Sequence, residues 1–204
     1  MRDVKDATTR RQEIMEVALQ LFLEKGYLET TTQNIVDAMG ISRGLLYYHF
    51  KNKEDILYSL IIRFSKPVIS RIDRICDDTS MSAIVKIDEF LKATLISADS
   101  ITPETVAMQE ALDLKDNTYL MDKFSHYIIE KLSVKFGKII KQGILEKSFD
   151  VENPDAIAFF LISGYIFVGN SIKHTNLDKD TSNNNDLLTS FKTILTRTLN
   201  VKNE

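Results

Sequence analysis

The chain is poor in the two residues that interrupt regular structure. Seven glycines and three prolines stand among its 204 residues, together about 5% against roughly 12% in average usage. The prolines fall at 67, 103 and 154, so the first 66 residues contain none. Glycine and proline punctuate turns, and a chain with so few of them has long uninterrupted elements. All-β sandwiches, collagen repeats and Pro/Gly-rich disorder are set aside at once. An all-α chain of about nine helices is the expectation.

Hydrophobic periodicity places those helices. Ile14, Val17, Ala18, Leu21 and Phe22 recur at helical spacing, and Gly26 is expected to end that helix in a left-handed conformation. Thr30 to Thr32 supply capping hydroxyls for a short second helix with Ile35, Val36, Ala38 and Met39 on its apolar side. Gly40-Ile41-Ser42 follows: a glycine able to take positive φ, an apolar plug and a capping serine. The third helix spans about Arg43 to Phe50, with Leu46 and Phe50 on one face. Two short helices joined by a tight turn after a longer supporting helix make a helix-turn-helix pattern.

Asn52 caps a fourth helix, with Glu54 and Asp55 in its first turn and a stripe of Ile56, Leu57, Leu60, Ile61 and Phe64. Pro67 is expected to end or kink it. A stripe of Ile84, Ile87, Leu91, Leu95 and Ala98 marks the next helix. Thr102-Pro103-Glu104 opens a short one through Leu114, and a long one is expected over about Thr118–Gln142, stopped by Gly143. Asn153-Pro154-Asp155 repeats the start signal. Residues 175–186 are polar and read as a mobile loop. A last helix carries Leu188, Phe191, Leu195 and Leu199.

Charge and composition narrow the functional classes. The net charge is −3, which argues against a general polyanion binder. Residues 1–63 carry nine basic and nine acidic side chains, so nucleic acid, if bound, meets a local patch. A single cysteine, Cys76, forms no intramolecular disulfide, and with three scattered histidines it offers no zinc-site spacing. The polar first eleven residues show no signal peptide, and a cytoplasmic protein is expected. No Ser/His/Asp set, glycine-rich phosphate loop or metal-ligand cluster appears, so no enzyme and no cofactor are expected.

The third helix is the sharpest functional signal. Arg43, Tyr47, Tyr48 and His49 stand on it, and Lys51 and Lys53 follow. A guanidinium and aromatic hydroxyls suit the major groove, while lysines and hydroxyls suit phosphate oxygens. On spacing alone, an ordinary charged surface helix fits these residues equally well. The block from Gly26 through Thr31 to Ile35, and then Gly40-Ile41-Ser42-Arg43-Gly44-Leu45-Leu46-Tyr47-Tyr48-His49-Phe50-Lys51-Asn52-Lys53-Glu54-Asp55-Ile56, resembles the signature of TetR-type transcriptional regulators. The resemblance covers about residues 10–60. The stretch from Gly143 to Ala156 is also similar to that family's connection into its eighth helix.

The resemblance implies a helix-turn-helix DNA-binding domain over 1–51 and a helical ligand-binding and dimerisation domain over 52–204. It implies DNA contacts from Thr31, Thr32, Gln33, Ser42, Arg43, Gly44, Leu45, Tyr47, Tyr48 and His49, and a phosphate contact from Lys53. Leu45 departs from the small or hydroxyl residue usual at its position and offers only apolar contact, as to a thymine methyl. Val36 and Met39 replace small alanines in the second helix.

Residues 156–172 carry no charge. Their length and their polar interruptions disfavour a membrane span. A helix apolar all round is buried on several sides, and a second copy of the chain is the natural cover. Hence a homodimer is expected, with Phe159, Ile162, Ile166, Leu188, Phe191 and Leu195 at its interface. The resemblance further implies a small-molecule effector, of unknown identity, near Phe90, Met108, Leu112, Met121, Phe124, Tyr127, Phe160, Tyr165 and Phe167. Most of these fit an ordinary core equally well. The expected function is a repressor released from a palindromic double-stranded operator by that effector. The alternatives are a helical protein–protein adaptor and a DNA-binding protein that answers to no ligand.

Overall fold

In this computed structural model the described residues are 6–94, 102–112, 117–172 and 181–201, and they form nine α-helices and no strand. The helices are α1 (Ala7–Lys25), α2 (Thr32–Met39), α3 (Arg43–His49), α4 (Lys53–Asp77), α5 (Ala83–Thr94), α6 (Pro103–Leu112), α7 (Thr118–Leu145), α8 (Pro154–Ile172) and α9 (Thr181–Thr198). The chain divides into two compact units, one of residues 1–66 and 96–124, the other of 67–95 and 125–204. Both α4 and α7 therefore contribute to each unit.

The first unit is built on the stripe of α1. Ile14, Ala18 and Phe22 are buried with Ile35 of α2, Leu46 and Phe50 around α3, and Ile56, Leu57 and Leu60 of α4. Met108 and Ala111 of α6 and Leu120 of α7 join the same cluster. Asn117 ties that corner together, its amide donating to the Ala111 carbonyl at 2.6 Å. The second unit has its own core, formed by Ile72, Phe90, Leu91, Leu132, Phe136, Ile139, Phe149, Ala158, Ile162, Leu195 and Leu199. The Phe90 and Phe136 rings meet at 5.0 Å. Three cross-links fix helix ends there. The buried Lys86 ammonium donates to the Cys76 carbonyl at 2.7 Å, the Glu146 carboxylate accepts from the Ala83 amide at 2.9 Å, and the Gln142 amide donates to the Met81 carbonyl at 2.9 Å.

Several boundaries differ from expectation. Pro67 neither ends α4 nor lies past it, since the helix continues to Asp77. A proline removes one backbone donor, and here the helix continues past that loss. Gly143 does not stop α7, which runs on to Leu145. The terminator is Lys147, at φ 62°, after which the Ser148 and Phe149 amides both return to the Gly143 carbonyl, at 2.9 and 3.1 Å. That is the arrangement of a helix closed by a left-handed residue. Gly143 serves another purpose: the Phe149 ring lies directly against it, where a Cβ would stand. Gly26 has positive φ as expected, but with φ 80° and ψ 159° it is not in the left-handed helical well. Within the segment read as a loop, α9 already begins at Thr181, and residues 175–180 lie outside the described residues. An Asn/Ser-rich stretch has weak helix propensity and no apolar period, so its helical state is invisible to pattern reading. Leu95, Ala98 and residues 113–114 also lie outside the described residues.

Candidate nucleic-acid interface

The turn between α2 and α3 is closed by local chemistry. Thr31 caps α2: its hydroxyl accepts from the Asn34 amide at 3.1 Å, and the Asn34 side chain accepts from the Thr31 amide at 2.9 Å. This reciprocal pair satisfies donors that a helix start leaves open. Gly40 sits in the left-handed region, φ 61° and ψ 32°, and lets the chain reverse after Met39. Ser42 caps α3, its hydroxyl accepting from the Leu45 amide at 3.2 Å. Leu46 and Phe50 are buried beneath. One side of α3 is thus anchored, and the other faces solvent.

The outer side carries Arg43, Gly44, Tyr47 and Tyr48, all exposed. Tyr48 is 77% exposed and Tyr47 47%. Two tyrosines this exposed on a seven-residue helix are outside the hydrophobic core, and their exposure singles this face out. The Tyr47 hydroxyl lies 3.2 Å from the Thr32 hydroxyl, joining α3 to the start of α2 across the turn. Gln33 is drawn along its own helix, donating to the Asp37 carboxylate at 2.6 Å. Leu45 and His49 are half-buried. A methyl added at Gly44 would meet only the Ser42 hydroxyl, at 3.9 Å, so the protein's own packing does not require a glycine there.

Two cations support this face from behind. Arg11 of α1, which no local pattern singles out, places its guanidinium 3.9 Å from the Phe50 ring centre. It donates to the His49 carbonyl and, at 2.8 Å, to the Ser59 hydroxyl. It therefore satisfies the C-terminal end of α3 and ties it to α4. Burial, and then the nearby Arg11 and Arg10 charges, lower the His49 pKa below its ordinary value. Lys53, expected to reach a phosphate, donates in the free chain to the Tyr27 and Thr30 carbonyls at 2.7 and 2.8 Å and to the Leu28 carbonyl at 3.4 Å. Its ammonium also stands 4.1 Å from the Tyr27 ring centre.

The remaining site residues are spread through both units. Met108 is buried in the first unit's cluster, against which Met121 and Phe124 also pack. Phe90 is fully buried in the second core, and Tyr127 is half-buried with the Lys131 ammonium 5.6 Å from its ring centre. Tyr165 is half-buried, its hydroxyl 3.0 Å from that of Thr94 and its ring 4.9 Å from Phe191. Phe160 and Phe167 are exposed. The Leu112 and Leu188 side chains lie outside the described ones. A groove of about 180 Å³ in the second unit is lined by Ile84, Ile87, Leu91, Phe149, Leu195 and Leu199, with the Asp88–Lys192 ion pair beside them. Of the nine effector candidates, none lines it. Of the interface candidates, Ile162 and Leu195 are already buried in the unit's own core, Ile166 and Phe191 are half-buried, and Phe159 is exposed. Among the described residues no helix is long and apolar enough to cross a membrane, and no group of three or more His, Cys, Asp or Glu is placed to hold a metal.

Comparison with known proteins places this geometry. The family described as bacterial regulatory proteins, tetR family, matches residues 14–60, the stretch from α1 into α4. The chain is 31% identical over 109 residues to the HTH-type transcriptional repressor KstR2 of Mycolicibacterium smegmatis, covering 53% of each protein. It is 40% identical over 74 residues to an HTH-type transcriptional regulator of Staphylococcus aureus, covering 36% of this chain and 40% of that protein. The matches thus span about half or less of these relatives' length. In fold, the chain resembles a TetR-family regulator from Pectobacterium atrosepticum over 100% of both chains, with a TM-score of 0.64 and 19% identity. It also resembles SmeT, solved in complex with triclosan, over 81% of this chain and 82% of that one, with a TM-score of 0.55 and 18% identity. The family match thus falls on the capped helix-turn-helix, and the nine helices of the described residues share the fold of these solved regulators.

Proposed function

We propose that the chain is a sequence-specific DNA-binding transcriptional regulator, a repressor released from its operator by a small molecule. Residues 1–51 supply the DNA-binding domain and 52–204 the regulatory one. The observation that carries the reading is the outer face of α3. Its base is locked by two caps and a buried Leu46, while Arg43, Tyr47 and Tyr48 point into solvent. Arg43 is the candidate for a guanine edge in the major groove, and Tyr47, Tyr48 and the N-terminal hydroxyls of α2 and α3 for phosphate oxygens. Nothing in this reading calls for catalysis or a cofactor, and the place of action is the cytoplasm.

Dimerisation completes the proposal. Phe159, Phe160, Phe167 and Val168 of α8 and Ile194 of α9 are exposed in the single chain, and α8 carries one charged residue, Asp155, in its first turn. A second copy of the chain covers these side chains. Two recognition helices related by a two-fold axis then meet half-sites about 34–36 Å apart, so the operator is palindromic. The fold likeness to a triclosan-bound protein supports a small, largely apolar effector in the second unit. Such a ligand acts only as far as it binds one conformational state better than the other.

Fluorescence titration of the protein against duplexes from upstream of its own gene tests the reading. Specific binding that falls steeply with salt is expected. Arg43→Ala is expected to weaken it by roughly ten- to a hundredfold, the worth of a good bidentate base contact. Binding no tighter to these duplexes than to unrelated DNA at every salt concentration refutes the proposal, and indifference to Arg43→Ala favours an adaptor.

A further inference from the structure

The loop joining α1 to α2 is held to an unusual degree by one side chain of α4. An ammonium has three donors, and Lys53 presents them to the Tyr27, Thr30 and Leu28 carbonyls at 2.7, 2.8 and 3.4 Å. The Tyr27 ring closes over the same group at 4.1 Å and is itself packed edge-on against Phe22. Thr30, fully buried, adds its hydroxyl, whose single proton is shared between the Gly26 carbonyl at 2.8 Å and the Leu21 carbonyl at 3.1 Å. Four loop carbonyls, at 26, 27, 28 and 30, are thereby satisfied. The next residue is Thr31, the cap of α2, and the one after it is Thr32, paired with Tyr47.

We infer that Lys53 is a positioning residue: it latches the α1–α2 loop and so sets where Thr31 and Thr32 stand on the DNA-facing surface, rather than meeting a phosphate itself. This rests on the DNA-binding reading above. The geometry supports it because an ammonium whose three protons already meet carbonyls has none left for a phosphate unless the latch breaks. Partial burial agrees, being the main reason its pKa lies below the ordinary lysine value. Loss of the latch leaves the carbonyls of residues 27, 28 and 30 without their cation and loosens the start of α2.

Lys53→Met, which keeps the stem and removes the donors, is compared with Lys53→Arg, which keeps the charge but offers a planar fork. Hydrogen exchange of the free, full-length protein is the first readout. Lys53→Met is expected to speed exchange of the Asn34 amide about tenfold, while the buried Ala18 and Leu21 amides of α1 stay protected. Binding to duplexes from upstream of the chain's own gene, across a salt series, is the second. A latch predicts about tenfold weaker binding with a salt slope changed by less than half a unit. A lost phosphate contact predicts a slope smaller by about 0.9 and full rescue by Lys53→Arg. Unchanged Asn34 exchange overturns the inference, and so does faster exchange combined with the full change in slope. If the wild-type protein binds no duplex specifically, the DNA-binding reading fails, and the exchange experiment still decides whether Lys53 holds the loop.

Discussion

Gly143→Ala is expected to destabilise the second unit, although alanine is the better helix former. Gly143 lies inside α7 with ordinary helical backbone, so propensity alone favours alanine by about 0.8–1 kcal/mol. The opposing term is steric. A Cβ at 143 would stand 2.0, 2.2 and 2.7 Å from the Phe149 Cδ2, Cε2 and Cγ atoms, where carbon atoms need about 3.5–4.0 Å. The ring must therefore retreat by roughly 1.5 Å. Phe149 is buried among the core residues of that unit, and its backbone is pinned by the hydrogen bond from its own amide to the Gly143 carbonyl. Full expulsion approaches the cost of deleting a core phenylalanine, about 3–5 kcal/mol, and partial retreat costs about 1–3. After the propensity gain, a net loss of about 2 kcal/mol is expected, lowering the melting temperature by roughly 4–8 °C. Urea and thermal unfolding followed by circular dichroism measure it. Gly164→Ala is the control, because its Cβ would meet nothing within 4 Å in the chain, and a small stabilisation is expected. In a Phe149→Ala background, Gly143→Ala is expected to turn stabilising by about 1 kcal/mol, giving strong positive coupling in the cycle. If Gly143→Ala raises the unfolding midpoint as Gly164→Ala does, the packing argument is wrong.

Three further substitutions have defined expected outcomes. Tyr47→Phe removes the hydroxyl contact to Thr32 and is expected to weaken operator binding several-fold, with little change in melting temperature, when tested by anisotropy titration. Arg11→Ala is expected to cost about 2 kcal/mol by stranding the His49 carbonyl and stripping the Phe50 ring of its cation. Because His49 titrates below its ordinary range in the folded protein, the unfolded chain takes up that proton first. Its contribution to stability is therefore lost as pH falls below about 6.5, until the lower native pKa is reached. NMR titration in Arg11→Ala is expected to bring the His49 value back toward 6.5, and an unmoved value refutes the role given to the guanidinium. Phe160→Glu is expected to shift the protein from dimer to monomer in analytical ultracentrifugation, and an unchanged sedimentation profile rejects α8 as the dimer face.

Much of the helix-turn-helix is legible residue by residue because its signals are local. Gly40 between two short apolar runs, Thr31 three residues before Asn34 and Ser42 three before Leu45 act over a single turn of chain. Capping and positive φ are properties of a few consecutive residues, so they survive without tertiary context. The start of α9 was not legible for the same reason in reverse: polar residues at Thr181–Asp186 carry neither period nor cap. Glycine misled where its purpose was not local. Gly143 looks like a stop because glycines often end helices, yet its lack of a Cβ serves a ring six residues further on.

The helical class, the place of the helix-turn-helix and the apolar side of α3 are all written in the amino-acid order alone. All of these follow from spacing and from conformational preferences that act within about one turn. What Arg11 and Lys53 do emerges with folding, since their partners stand 38 and 26 residues away. The same holds for α6, whose Met108 packs with the first unit's core although more than forty residues separate it from α4's Leu60. A cation's nearest carbonyl, and the core that an apolar side chain joins, depend on which distant segments the fold brings together, and no local pattern encodes that.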